Sequence, residues 1–233
     1  MSIKIAIDAG HGLYTAGKRC MKSIDKNETR EWVLNDRIAD KLEKLLKSYD
    51  CEVLRVDDTT GLTDVALKKR TEKANNWGAD VYISIHHNAG INGGAGGGTV
   101  VFYYSSKTER KTQAINLYNY IVNMTGLRGN RSVGVIKKAF YVLKHTKADS
   151  FLIENGFMDS SVDVPVILSE VHANKTAQAI LNFLVNQYKL HVVNIETVTY
   201  KVQVGAFTNK ANADGLRAKL IAEGYEAVVV RGD

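Results

Sequence analysis

The sequence of 233 residues has little cysteine and no long apolar run, and both scarcities restrict what the protein can be. Cys20 and Cys51 are the only cysteines, and their spacing matches no zinc or redox motif, so we expect free thiols. No apolar stretch approaches the ~20 residues that a membrane-spanning helix needs, so we expect no membrane span. The opening MSIKIAIDAGHG lacks a signal-peptide cleavage pattern, which predicts a cytoplasmic protein without a signal peptide.

The positive charge of the chain also excludes some partners. The formal net charge is +6, and all of it falls in residues 1–190, because residues 191–233 contain equal numbers of basic and acidic side chains. The lysines are scattered and lack the interleaved aromatic residues typical of nucleic-acid-binding surfaces. We therefore expect a solubilising surface and no nucleic-acid partner.

Strand-like and helical segments alternate along the first 188 residues. Apolar runs predict six strands, at residues 3–7, 51–56, 80–86, 98–104, 139–144 and 150–154. Helical spacing of apolar residues predicts helices at residues 29–48, 64–77, 107–124 and 169–188. Continuous apolar strands that alternate with helices are typical of α/β folds, in which helices cover both faces of a parallel sheet.

Four side chains able to bind a metal or transfer protons lie where these elements meet loops. His11 follows the first strand, His86 ends the third, Glu154 ends the sixth, and Glu31 begins the first helix. Ligands collect at the carboxyl ends of parallel strands, so we expect these residues to converge. Zinc in hydrolases takes three such ligands, leaves a position for water, and has a carboxylate nearby to accept a proton. The sequence therefore predicts a catalytic zinc site.

Some local alternatives accompany this prediction. Glu28, three residues before Glu31, is the second candidate for the carboxylate ligand. His86 and His87 point to opposite sides of a strand, so we expect only His86 to face the metal and His87 to line the cleft wall or lie at the surface. The glycine-rich residues 90–98 lack the Lys-Ser/Thr ending of a phosphate loop and predict a mobile loop beside the site.

The C-terminal residues form a separate pattern. Residues 191–198 indicate a linker between a first domain, residues 1–190, and a tail. The tail, residues 199–233, predicts a β-α-β unit with a strand at 199–206, a helix at 210–223 and a strand at 226–231. Such a unit is shorter than the ~40 residues that usually fold unaided, so we expect it to need a partner surface.

Residues 3–188 contain four sequence blocks: IAIDAGHG, EWVLNDRIA, LKKRTEKANNWGADVYISIHHNAG and LIENGFMD. In sequence and in order, these blocks resemble the zinc-dependent N-acetylmuramoyl-L-alanine amidases of the amidase_3 family. The resemblance implies a three-layer fold with a twisted, mostly parallel six-stranded sheet flanked by helices. It also implies that Zn²⁺ is bound by His11, Glu31 and His86, that Glu154 is the catalytic carboxylate, and that the amide bond between N-acetylmuramic acid and L-alanine of peptidoglycan is hydrolysed.

The tail resembles the sporulation-related SPOR repeat in its YKVQVGAF opening. SPOR domains bind peptidoglycan glycan strands and are built from two β-α-β halves, of which this tail resembles one. Three interpretations are open: a truncated sequence, a homodimer that pairs two halves, or a half docked on the amidase domain. Amidases of this family that lack a signal peptide are similar to phage endolysins and to mother-cell lysis autolysins. This resemblance implies that the enzyme acts on the cell wall after it is released from the cytoplasm.

Two other functions fit part of the sequence. A metallopeptidase would use the same zinc on an ordinary peptide, but the HExxH motif is absent. A non-catalytic wall-binding protein built on a degenerate hydrolase would not be expected to retain all four site residues. Both alternatives are therefore weaker than the amidase hypothesis.

Overall fold

Six strands form one sheet in the computed structural model, which describes residues 2–130, 134–193, 203–225 and 227–231. The strands are β1 (Ile3–Ala9), β2 (Cys51–Arg55), β3 (Val81–Asn88), β4 (Thr99–Tyr103), β5 (Val135–Lys137) and β6 (Asp149–Phe157). Their order is β2-β1-β3-β6-β4-β5, and neighbours are parallel except for the antiparallel pair β4 and β6. The prediction of a mostly parallel six-stranded sheet is confirmed.

Helices cover both faces of this sheet. They are α1 (Glu31–Leu46), α2 (Leu67–Trp77), α3 (Thr108–Thr125), α4 (Tyr141–His145), α5 (Val164–Ile167) and α6 (Glu170–Tyr188). Buried apolar residues of α1, α3 and α6 share one core cluster with the strands, and those of α2 and α4 share the other. In α1 the buried residues Leu34, Ile38 and Leu42 recur every four positions, which places them on one helix face. These layers form the expected three-layer α/β fold.

The prediction of a strand at residues 139–144 is wrong. The fifth strand is Val135–Lys137, paired with β4, and Tyr141–His145 is a short helix. Val142 and Leu143 are adjacent in sequence and both buried. A strand would turn two neighbouring side chains to opposite faces, whereas a helix can bury both on one side. An apolar run of this length does not show enough periods to separate the two structures.

The chain divides into two compact units, residues 1–194 and 195–233. Residues 191–193 of the predicted linker are hydrogen bonded within the first unit: Asp50 N donates to His191 O at 3.0 Å, and Val193 N donates to Ser48 O at 2.9 Å. Residues 194–198 lie outside the described residues, and the exact bounds of the linker stay a prediction.

The second unit contains α7 (Lys210–Ala222), where the sequence predicts a helix. Residues 199–202 and 226 of the predicted strands lie outside the described residues, and the described parts, 203–206 and 227–231, have no regular secondary structure. None of the described residues of this unit is buried. The expected need of this unit for a partner surface stays a prediction.

No helix among the described residues is long and apolar enough to cross a membrane.

Candidate metal centre

His11, Glu31 and His86 meet at the carboxyl edge of the sheet. Glu31 Oε1 lies 3.1 Å from His86 Nδ1, and Glu31 Oε2 lies 3.3 Å from His11 Nε2. One donor atom from each residue lies within 4.8 Å of the other two. The structure thus brings together the three residues that the sequence suggests as metal ligands.

Glu154 stands next to His86 in the sheet. The two residues are partners in the parallel register of β3 and β6, so their side chains leave the sheet on the same face. The Oε2 atom of Glu154 is buried and has no hydrogen-bond partner among the described residues. Burial raises the pKa of this carboxyl group to about 7, although the nearby His86 opposes the shift. A carboxyl group with such a pKa is suited to accept and return a proton near neutral pH.

The carboxylate of Glu31 has the opposite electrostatic setting. Its side chain is 1% exposed, and burial alone would raise its pKa, but the adjacent imidazoles of His11 and His86 outweigh burial and hold the pKa well below the usual range. Burial opposes a positive charge on His86, yet Glu31 raises the pKa of that imidazole. The ionised form of Glu31 is therefore stabilised beside groups that carry positive charge or bind a metal.

Glu28, the alternative ligand, lies outside this cluster. Its carboxylate is 3.2 Å from Arg19 Nε and 3.8 Å from Lys22 Nζ, and neither histidine of the cluster contacts it. The geometry favours Glu31 as the ligand.

His87 lies away from the cluster, as the alternation along a strand predicts, but it is not at the surface. Its ring is buried, with Nδ1 2.8 Å from Asn35 Oδ1 on α1. Burial, aided by His172, lowers the pKa of His87 to about 3, so its imidazole is neutral. The expectation of a surface position is wrong because α1 covers this face of β3, and a histidine with a hydrogen-bond partner can be buried there.

The backbone around His11 is unusual. His11 has a φ of 67°, a left-handed conformation that costs about 1–3 kcal/mol for a residue with a side chain. Arg70 of α2 holds this segment, because its guanidinium donates to Ala9 O at 2.7 Å and to His11 O at 2.8 Å. Arg70 also pairs with the buried carboxylate of Asp8. The conformation of the ligand segment is thus fixed by a buried ion pair.

Sequence reasoning missed Arg70, although a signal was present. Asp8 interrupts an apolar strand, and a buried carboxylate needs a cationic partner. Arg70 and Ala74 lie four residues apart on the buried face of α2, where a basic residue is unexpected unless it is paired. Together these two anomalies indicate the ion pair.

Glycines on both sides of His11 make room for the cluster. A Cβ atom at Gly10 would lie 2.0 Å from His86 Cε1, and one at Gly12 would lie 2.9 Å from the backbone nitrogen of Asp64. Any side chain at Gly10 would therefore displace the imidazole of His86.

The glycine-rich loop of residues 90–98 is held by hydrogen bonds. Asp159 Oδ2 accepts from the backbone N–H groups of Gly90, Ile91 and Asn92 at 2.7–2.8 Å. Asp163 Oδ2 accepts from Gly98 N at 2.7 Å. Both aspartates follow the strand that carries Glu154, so the loop after β3 is tied to the loop after β6, rather than free as a mobile loop would be.

The donor set fits a divalent transition metal. Two imidazole nitrogens and one carboxylate oxygen are the ligands that zinc takes in many catalytic sites. Glu31 Oε2 is buried and has no aligned hydrogen-bond donor among the described residues, which leaves it available to a cation.

Comparison with known proteins identifies the family. A family model described as N-acetylmuramoyl-L-alanine amidase matches residues 5–186, and a model described as SPOR domain matches residues 196–233. The chain is 32% identical over 231 residues to N-acetylmuramoyl-L-alanine amidase CwlM of Bacillus licheniformis, across 99% of this chain and 86% of that protein. The chain therefore belongs to the N-acetylmuramoyl-L-alanine amidases, which are peptidoglycan hydrolases.

Other relatives agree with this assignment. The sporulation-specific N-acetylmuramoyl-L-alanine amidase of Bacillus subtilis (strain 168) is 31% identical over 233 residues, across 99% of this chain and 86% of that protein. The N-acetylmuramoyl-L-alanine amidase of Clostridium difficile 630 has a similar structure, with a TM-score of 0.72 at 30% identity over 81% of this chain and 97% of that chain. The expected family and fold are thus confirmed.

We expect the metal-free Glu154→Gln variant to be more stable than the unmodified protein at pH 8 but not at pH 4. The folded-state pKa of Glu154 is raised from 4.5 to about 7, so its favourable contribution is present below about pH 4.5 and is lost as the pH rises through about 7. At pH 8 the buried charge lowers the free energy of unfolding by roughly 1–3 kcal/mol, and glutamine removes that charge.

Urea unfolding of chelator-treated protein at both pH values measures this difference. Glu52→Gln, which changes an exposed carboxylate on β2, is the matched control. A stability difference for Glu154→Gln that does not change with pH would contradict the prediction.

Proposed function

We propose that this chain is a zinc-dependent amidase in which His11, Glu31 and His86 hold the metal and Glu154 is the catalytic base. The observation that carries the proposal is the position of Glu154: its Oε2 atom is buried and has no hydrogen-bond partner among the described residues, and its strand neighbour is His86 of the candidate ligand cluster. The raised pKa of Glu154 and the lowered pKa of Glu31 support different roles for the two carboxylates.

The proposed mechanism uses these roles in sequence. Zinc, when bound, would activate water and stabilise negative charge on the carbonyl oxygen of the substrate. The Glu154 carboxylate accepts a proton from the water as the water oxygen attacks the lactyl carbonyl carbon of N-acetylmuramic acid. The same carboxyl group then donates that proton to the amine nitrogen of L-alanine as the C–N bond breaks. The products are a free lactyl carboxylate on the glycan and a stem peptide with a new amino terminus.

We expect Glu31→Gln to lose most bound zinc and Glu28→Gln to retain it. Glu31 lies between the two histidines, whereas Glu28 pairs with Arg19 and Lys22. Both substitutions remove one carboxylate, so they differ only in position. Metal content after dialysis against zinc, measured by atomic emission, tests the difference, and equal zinc content in the two variants would count against Glu31 as a ligand.

We expect Glu154→Gln to keep zinc but to lose hydrolysis of purified cell walls by a factor of at least about 100, the contribution typical of a general base. Glu52→Gln should retain full activity. Chemical labelling of new amino termini identifies the products: terminal alanine supports the amidase, and cuts inside the stem peptide would support a metallopeptidase. Substantial activity in Glu154→Gln would rule out its role as the base.

We also propose that the second unit binds peptidoglycan and pairs with another copy of itself. The SPOR family model matches residues 196–233, and apolar side chains of this unit are exposed, among them Val204, Tyr225 and Val228. A unit in which none of the described residues is buried needs such a partner surface. Action on the cell wall during phage lysis or during mother-cell lysis stays a prediction, and the proposed activity fits a phage endolysin as well as a mother-cell lysis autolysin.

We expect the protein to dimerise and Val228→Asp to weaken the dimer. Val228 is 82% exposed, and a charge at a paired apolar surface would have to be desolvated. Light scattering measures the mass of both proteins, with Lys219→Asp on α7 as a charge-changing control. If the unmodified protein is monomeric over the micromolar range, pairing through the second unit is wrong.

A further inference from the structure

One buried amide links the three chain segments that carry His11, Glu31 and His86. Asn35 is fully buried in α1, one helical turn after Glu31 and on the same helix face. Its Nδ2 donates to Gly10 O at 3.0 Å, next to His11, and its Oδ1 lies 2.8 Å from His87 Nδ1, next to His86. We propose that Asn35 is a positioning residue that sets the geometry of the metal centre, an inference that rests on the proposed zinc function.

The hydrogen bonds fix the orientation of both side chains. Because the NH₂ group of Asn35 faces the Gly10 carbonyl, its oxygen faces His87 and can only accept a hydrogen bond. His87 must then carry its proton on Nδ1. The backbone N–H of His87 donates to Glu31 Oε1 at 3.2 Å. Glu31, His87 and Asn35 thus form a closed circuit: His87 is hydrogen bonded to each of the other two residues, and the backbone of α1 joins Asn35 to Glu31.

The circuit gives each ligand segment a fixed position. Gly10 N also donates to Ile85 O at 2.9 Å, so the end of β1 is tied to β3 directly as well as through Asn35. The ring of His86 packs where a Cβ atom of Gly10 would lie, so a shift of Gly10 would move His86 as well as His11. Partners that hydrogen bond to metal ligands typically change metal affinity by about 10–100-fold when they are removed, and Asn35 bonds to the residues next to two of the candidate ligands.

The helix sequence supports a specific role for this amide. Asparagine is a poor helix former, and the flanking buried positions of α1 are the apolar Leu34 and Ile38. An apolar residue at position 35 would extend the packed stripe, so the amide is explained by its two hydrogen bonds. If Asn35 had a purely structural role, its substitution would lower the stability of the fold and leave the metal affinity unchanged. The two roles can therefore be separated by experiment.

A matched asparagine is available on the other face of the sheet. Asn75 of α2 also bridges two groups: its Nδ2 donates to His145 O at 2.9 Å, and its Oδ1 accepts from Lys147 N at 2.8 Å. Neither partner belongs to the metal centre. Asn75→Ala therefore removes a similar bridge without touching the ligand segments.

The test compares Asn35→Ala, Asn35→Asp and Asn75→Ala in the full chain. Zinc dissociation constants come from chelator competition, and unfolding temperatures are measured with and without zinc. We expect both Asn35 variants to bind zinc about 10–100-fold more weakly and to gain less stability from zinc, because stabilisation by a ligand follows its affinity. Asn75→Ala should lose stability but bind zinc like the unmodified protein.

Asn35→Asp keeps the volume of the side chain and an acceptor for His87 but places an oxygen against Gly10 O, so it decides the question if Asn35→Ala does not fold. The absorption spectrum of the cobalt-substituted protein gives an independent readout of ligand geometry, and we expect it to change in Asn35→Asp. If the unmodified protein binds zinc and both folded Asn35 variants bind it equally tightly, the inference about Asn35 is overturned and the proposed function stands. If the unmodified protein does not bind zinc, the proposed function fails as well.

Discussion

The carboxylate of Glu31 is buried between two imidazole rings, and a carboxylate in such a place needs positive charge beside it. Without metal, a proton on His86 meets this need, since Glu31 raises the pKa of that imidazole against the effect of burial. A divalent cation would supply the charge in place of that proton. Metal binding and proton release at this site are therefore linked, and the surrounding structure has to place the carboxylate and both rings within reach of one ion.

That placement depends on the end of β1, which is held from both helical layers. Arg70 on α2 donates to the carbonyls of Ala9 and His11, and Asn35 on α1 donates to the carbonyl between them, that of Gly10. Three successive carbonyls are thus occupied by side chains from opposite faces of the sheet. This arrangement stabilises the left-handed backbone of His11, whose strain would otherwise favour a different conformation. The geometry of the candidate ligands is a property of the whole three-layer packing.

The fold could be predicted because most strands are continuous apolar runs and most helices show helical spacing of apolar residues, and the meeting of the candidate ligands could be predicted because residues at strand ends converge in a parallel sheet. The helix at Tyr141–His145 could not, since five residues are too few to show a period. The burial of His87 and the pairing of Asp8 with Arg70 depend on contacts between residues that are distant in sequence. Such partners are fixed by packing of whole layers, which a local pattern does not contain.

The two glutamates of the site show why residue type alone does not assign a role. Glu31 and Glu154 are both enclosed near His86, but Glu31 has an imidazole within 3.3 Å of each carboxylate oxygen, whereas Oε2 of Glu154 has no partner among the described residues. Hydrogen bonds to the charged form lower a pKa, and burial without them raises it. One carboxyl group is therefore kept ionised and suited to hold a cation, while the other changes protonation near neutral pH. The different surroundings of two identical side chains support the division into ligand and base.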